Sequence, residues 1–151
     1  MNAIELLKED HKKVSGIFEK LDETTERGVK TREELFTQLK TNLDIHAEIE
    51  EQIFYPAIKD ADQTHEITLE AFEEHHVIKM LLQELDSMPK DSEEWAAKLT
   101  VLKENVEHHV EEEEGDMFPK AKKVLSEEQI EQLGSRMEAS KQEQKSAKAA
   151  G

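Results

Sequence analysis

Apolar residues recur at three- and four-residue steps along most of the chain, which predicts helices throughout. Ile4, Leu7, Val14, Phe18 and Leu21 share one face with His11, and Asn2 with Glu5 is spaced as a capping box for this first helix. Gly28 falls in a polar break. Thr31 and Glu34 are spaced as a capping box for a second helix, striped by Leu35, Leu39, Leu43, Ile49, Ile53 and Ala57 and expected to end or kink near Pro56. After the polar stretch 60–63, a third helix starts near Thr64 and carries Ile67, Ala71, Phe72, His75, Ile78, Leu82 and Leu85 as far as Met88-Pro89. Asp91 and Glu94 are placed to cap a fourth, with Leu99, Leu102, Val106, His109 and Glu113 facing inward. Beyond Gly115 and Pro119, Ser126 and Gln129 open a shorter helix around Ile130, Leu133 and Met137. From about Ser140 the chain is Lys, Gln, Ser and Ala, which predicts a frayed tail. The expected architecture is all-α: an up-down-up-down four-helix bundle over residues 1–125, then a short helix and tail over 126–151.

Two polar residues break the second stripe. His46 and Glu50 fall in phase with the leucines, one helical turn apart, so both point inward. A buried carboxylate without a partner is costly, and a bound cation is the simplest compensation. The pattern His-x-x-x-Glu-Glu-x-x-x-x-Pro over His46–Pro56 returns over His109–Pro119, offset by 63 positions (109 minus 46). Helices one and three echo each other too. Asp10-His11 and Glu74-His75 are followed by apolar residues at matching offsets, 64 positions apart (75 minus 11). The chain therefore reads as two copies of one helical hairpin.

In such a bundle, residues equidistant in sequence from a tight turn share a height. The midpoint of positions 11 and 46 is 28.5, that of 46 and 75 is 60.5, and that of 75 and 109 is 92, each inside an expected break. Four histidines are thus expected in one layer. Glu50 and Glu113 lie about 6 Å further along two parallel helices, entering from the same side.

Composition narrows the chemistry. The 151 residues fit one domain, and 36 acids against 20 bases leave a net charge of −16, the opposite of a nucleic-acid footprint. There is no cysteine, which removes disulfides, thiolate sites and thiol catalysis. The first residues lack a basic-then-apolar signal, and no apolar run is long enough to span a bilayer, so a cytoplasmic protein without membrane contact is expected. His11, His46, His75, His109, Glu50 and Glu113 would make a site for two metal ions. Imidazole with carboxylate suits iron, manganese or zinc, and the lack of sulfur ligands disfavours copper(I).

The doubled His-x-x-x-Glu motif with its following proline, together with Asp10-His11 and Glu74-His75, resembles the hemerythrin HHE cation-binding family over about residues 1–125. The resemblance implies a non-haem centre of two iron ions with carboxylate and oxo or hydroxo bridges, iron standing ahead of zinc or manganese. One ion would take His11 and His46, the other His75 and His109, with Glu50 and Glu113 bridging. The family implies a small ligand: dioxygen, nitric oxide or hydrogen peroxide. It leaves open peroxide disproportionation in a catalase-like enzyme, and a structural bundle holding zinc stands as a third reading. The sequence leaves a protein partner open, including one recruited by the segment after Pro119.

The sequence departs from the oxygen carriers of that family. They supply two histidines one turn apart on the third helix, whereas the positions flanking His75 are Ala71 and Lys79. Their fourth-helix carboxylate lies five residues after its histidine, which is Glu114 here. Phase and the match to Glu50 favour Glu113, with Glu114 as the alternative. His76 and His108 lie about 100° round the helix from their neighbours and are candidates for supporting roles. His65 is expected in solvent near a helix start. Nothing in the spacing places Tyr55 or Trp95 near the metals.

Overall fold

The computed structural model describes residues 1–150, and among these every regular element is helical. Asn2 caps α1 (Ala3–Asp22) by the expected box: its side chain accepts from the Glu5 amide at 2.9 Å, and the Glu5 carboxylate accepts from the Asn2 amide at 3.1 Å. α2 (Val29–Ile49) begins two residues before Thr31, so the Thr31–Glu34 box does not form and Gly28 occupies the cap. The helix does not stop at Pro56. It passes through one π turn at Glu50–Phe54 into α3 (Tyr55–Ile58). A proline lacks the amide that would bond four residues back, and its ring crowds that carbonyl. The wider turn just before Pro56 takes up this conflict without ending the rod.

α4 (His65–Ser87) follows, with Thr64 at its start donating its hydroxyl to the Ile58 carbonyl. α5 (Glu93–Glu112) is capped by Ser92, whose hydroxyl accepts from the Trp95 amide at 3.1 Å, one position later than the expected Asp91–Glu94 pair. The second copy repeats the first: a π turn at Glu113–Met117 leads into α6 (Phe118–Val124), which carries Pro119 in its first turn. The Ser126–Gln129 box forms as expected and opens α7, but α7 runs Glu127–Ala150. The tail expected from Ser140 is therefore helical, and the extension is long rather than short. It is held in part by Lys141, buried against α1.

The four rods α1, α2–α3, α4 and α5–α6 run up, down, up and down, and α7 lies along α1 and α2. Their apolar stripes form two clusters. One holds Phe18, Phe36, Leu82 and Trp95 at the end of the bundle near Gly28 and Ser92. The other holds Leu7, Phe54, Tyr55, Phe118 and the inner face of α7. The polar layer predicted from the histidines lies between them. Trp95 is far from it: its indole N–H donates to the Leu85 carbonyl at 3.1 Å, and Arg32 lies 5.1 Å over its ring.

Candidate metal centre

All six residues singled out in the sequence meet in this layer, and all are buried. The rings of His11 and His46 are 5.0 Å apart between centroids, and those of His75 and His109 are 4.8 Å apart. Two overlapping groups of four can each offer ligand atoms lying within 4.8 Å of one another. One is His11, His46, Glu50 and Glu113, and the other is His75, His109, Glu50 and Glu113. Both groups share the same two carboxylates. Glu50 Oε1 lies 3.1 Å from His46 Nε2 and 3.1 Å from His75 Nε2. Glu113 offers Oε1 at 3.0 Å from His11 Nε2 and Oε2 at 3.3 Å from His109 Nε2. Each carboxylate thus faces one histidine of either pair.

Every ring is held from behind by a carboxylate. His46 Nδ1 bonds Asp10 at 3.0 Å, His75 Nδ1 bonds Glu51 at 3.0 Å, His109 Nδ1 bonds Glu74 at 2.6 Å, and His11 Nδ1 bonds Glu114 at 2.6 Å. A carboxylate can only accept, so the neutral imidazole carries its proton on Nδ1 and turns the Nε2 lone pair into the layer. The support runs round the bundle. Asp10 on α1 holds the α2 histidine, Glu51 after α2 holds the α4 histidine, Glu74 on α4 holds the α5 histidine, and Glu114 after α5 holds the α1 histidine. Glu114 accordingly stands behind His11 rather than among the inner groups. His76 and His108 are exposed; His108 pairs with Glu112 at 3.0 Å on the surface. His65 is exposed as expected, its Nδ1 on the Lys59 carbonyl.

The π turns carry a residue that α-helical phase misses. An i to i+5 turn sets residue i+5 over residue i, so Tyr55 lies over Glu50 and Phe118 over Glu113. Tyr55, which spacing left away from the metals, is fully buried in the site. Its hydroxyl donates to Glu113 Oε2 and lies 3.3 Å from the Nε2 atoms of both His75 and His109. The matching position in the second copy is Phe118, stacked on His11 at 6.1 Å. At this position the two halves differ by one hydroxyl. The readable signal was a proline six residues after Glu50 and again after Glu113.

The electrostatics describe a cluster short of positive charge. Burial opposes charge on His46, but the Glu50 carboxylate and the bond to Asp10 outweigh it and push the imidazole up to about 10. Burial likewise opposes charge on His109 and His75. Glu113 dominates in raising the first well above the ordinary histidine range, and Glu50 and Glu51 raise the second. Burial works against ionised Glu50, yet His46 holds its carboxyl well below the usual range. Two atoms stay without hydrogen bonds although buried: His46 Nε2 and Glu50 Oε2. His46 Nε2 is 3.1 Å from Glu50 Oε1, but the pair is not aligned as donor and acceptor. Buried polar atoms without partners, beside further imidazole and carboxylate atoms, are what a cation site shows when its cation is not counted. The donor set fits a metal ion.

A cleft of about 460 Å³ reaches all four histidines from the side opposite Glu50 and Glu113. Val14, Leu43, Ile78 and Val106 line its inner part, and the exposed Gln52, Lys79 and Gln83 stand at its rim.

The profile of the hemerythrin HHE cation-binding domain matches residues 2–121. The chain belongs to this family. It is similar to the crystal structure of a hemerythrin HHE cation-binding domain-containing protein from Mycobacterium kansasii, with a TM-score of 0.85 and 30% identity, covering 97% of this chain and 89% of that one. An uncharacterised protein of Mycobacterium tuberculosis is 34% identical over 143 residues, 92% of this chain and 84% of its own. A protein of Nostoc named DNA nickase is 29% identical over 141 residues, 93% of this chain but only 39% of its own length. As a hemerythrin-like domain, the chain combines a cation-binding fold with a buried His/Glu cluster that fits a metal site. Among the described residues no helix is long and apolar enough to cross a membrane.

Proposed function

We propose that this hemerythrin-like chain is a non-haem di-iron protein that binds or senses a small ligand: dioxygen, nitric oxide or peroxide. His11 and His46 would hold one iron and His75 and His109 the other, with Glu50 and Glu113 available to both. The observation that carries this reading is the pair of four-residue groups sharing both buried carboxylates. Nitrogen and oxygen donors without sulfur suit iron, with zinc or manganese as less favoured occupants. When bound, the iron pair supplies electrons and open coordination positions for the ligand. Asp10, Glu51, Glu74 and Glu114 orient the rings, the histidine-floored cleft admits the ligand, and Tyr55 offers one hydroxyl donor beside His75 and His109.

A second reading is catalase-like disproportionation, in which two molecules of hydrogen peroxide become two of water and one of dioxygen. The Tyr55 hydroxyl favours it, because a donor beside the ions suits chemistry that must protonate oxygen. The DNA nickase name belongs to a relative more than half of whose length lies outside the match, and a chain of net charge −16 offers little to hold phosphate. We assign this chain no nucleic-acid partner and a cytoplasmic location.

The test is elemental analysis of natively purified protein, followed by spectra of iron-loaded protein with and without each ligand. Two irons per chain, near-ultraviolet bands that respond to nitric oxide or peroxide, and their loss in His75→Ala are expected. A colourless protein holding zinc alone would overturn the reading. Oxygen evolution from added peroxide, abolished in His75→Ala, would select the second.

A further inference from the structure

Three of the four carboxylates behind the histidines reach water. The side chains of Glu51, Glu114 and Glu74 are 39%, 38% and 24% exposed. Asp10, behind His46, is 7% exposed and differs in kind. Its Oδ2 accepts from His46 Nδ1, and its Oδ1 accepts from the ammonium of Lys141, itself buried on α7. Both oxygens are therefore held, one by a ligand ring and one by the fifth helix.

The placement of Lys141 is built into α7. Ile130, Leu133, Gly134 and Met137 step along the face of α7 that packs on α1, and Lys141 is the next position of that stripe, where another apolar residue would be the ordinary choice. A lysine on a packed face is expensive unless paired. Here its partner is the one carboxylate that water does not reach.

We propose that α7 is part of the metal centre, with Lys141 a positioning residue that acts through Asp10 to hold His46 at the ion it shares with His11. This rests on the two-ion reading above. Removal of the Lys141 ammonium leaves Asp10 held at one oxygen only, free to turn about its own side-chain bond, and the His46 ring loses its fixed backing. The ion at His75 and His109 is backed by Glu74 and Glu51 and keeps its supports.

The test uses the full-length chain as wild type, Lys141→Met, Lys141→Arg and, as a control on the exposed face of α7, Arg136→Met. Each is loaded with iron(II) without oxygen, and ions per chain are counted after equilibration with a weak chelator. The zinc-loaded forms are examined for the ring ¹⁵N–H signals of the histidines, a readout that mere loss of stability would not move. Wild type, Arg136→Met and Lys141→Arg are expected to hold two ions. Lys141→Met should hold one tightly and the other about ten- to a hundredfold more weakly, the usual cost of losing an outer support, with the His46 Nδ1–H signal lost. Lys141→Met with two ions at wild-type affinity and that signal intact would overturn the proposal, whatever its melting temperature. Should Lys141→Met fail to fold, Lys141→Ala removes the donor without pressing an apolar chain on Asp10 and carries the same readout, with at least tenfold weaker second binding expected. A wild-type chain that holds fewer than two ions would instead overturn the two-ion reading itself.

Discussion

Gly134 offers a direct measure of how tightly α7 is seated. A Cβ built there would lie 2.5 Å from the Met1 carbonyl oxygen and 2.7 Å from both the Asn2 carbonyl carbon and the Ala3 amide nitrogen. All three are backbone atoms, so none can swing aside as a side chain would, and α7 must move off the start of α1. Overpacking of this kind costs about 1–3 kcal/mol. Against it, alanine gains up to about 1 kcal/mol over glycine in a helix. The backbone character of the contacts puts the first figure at its upper end, leaving a net loss of roughly 2 kcal/mol for Gly134→Ala. At about 2–4 °C per kcal/mol for a chain of this size, the melting temperature should fall by roughly 4–8 °C. Gly16, in the middle of α1, has nothing within 4 Å of its would-be Cβ. Gly16→Ala should therefore move the other way, by up to about 1 kcal/mol. Thermal and urea unfolding of both variants in the presence of chelator checks the pair. Equal shifts of the same sign would refute the claim that α7 sits directly against the N-terminal backbone.

Glu50→Ala removes the carboxylate shared by both groups, and metal analysis should show loss of most of one ion per chain; full content would count against a bridging role. Tyr55→Phe gives position 55 the ring that Phe118 has in the second copy and strips Glu113 of a buried donor, so the metal-free protein should lose about 1–3 kcal/mol in denaturant titrations, and a peroxide-dependent activity should fall. In the metal-free protein the raised imidazole of His46 sets the sign of a pH effect. Its contribution is fully present below the unfolded value of 6.5 and is lost as pH rises through about 10. Chelated protein should accordingly lose stability between those limits, and flat unfolding curves across that window would contradict it. Metal at a hundred times its dissociation constant should add about 2.7 kcal/mol of stability, read as a fall in melting temperature on chelation.

The layer itself was legible because it obeys α-helical phase. Asn2 and Glu5 form their box, Ser126 and Gln129 form theirs, and the turns fall where the histidine midpoints require. What stayed hidden depends on departures from that phase or on long-range pairing. Tyr55 lies on the wrong face of an ideal helix and reaches Glu113 only because the π turn adds a residue. Pro56 reads as a stop because local rules do not include the relief that such a turn brings. The segment after Ser140 has the composition of a free tail, and its anchor, Lys141 on Asp10, joins positions 131 apart. Asp10, Glu51 and Glu74 were in view as parts of Asp-His, Glu-Glu and Glu-His pairs. Their partners, however, lie on neighbouring rods, which no local pattern names.

The order of those partnerships bears on the origin of the chain. Because each rod steadies the histidine of the one that follows, and the last steadies that of the first, no rod is self-sufficient. A lone hairpin, ending in the turn after Ile58, would own a single complete link, from Asp10 to His46, with Glu51 and His11 left unmatched. Those two leftovers complement each other across a two-fold axis. A pair of identical hairpins could thus close the same circle, Glu51 of each steadying His11 of its mate. Fusion of two such hairpins then frees each half to diverge, and the hydroxyl of Tyr55 against the bare ring of Phe118 is the kind of difference that only a fused chain can hold.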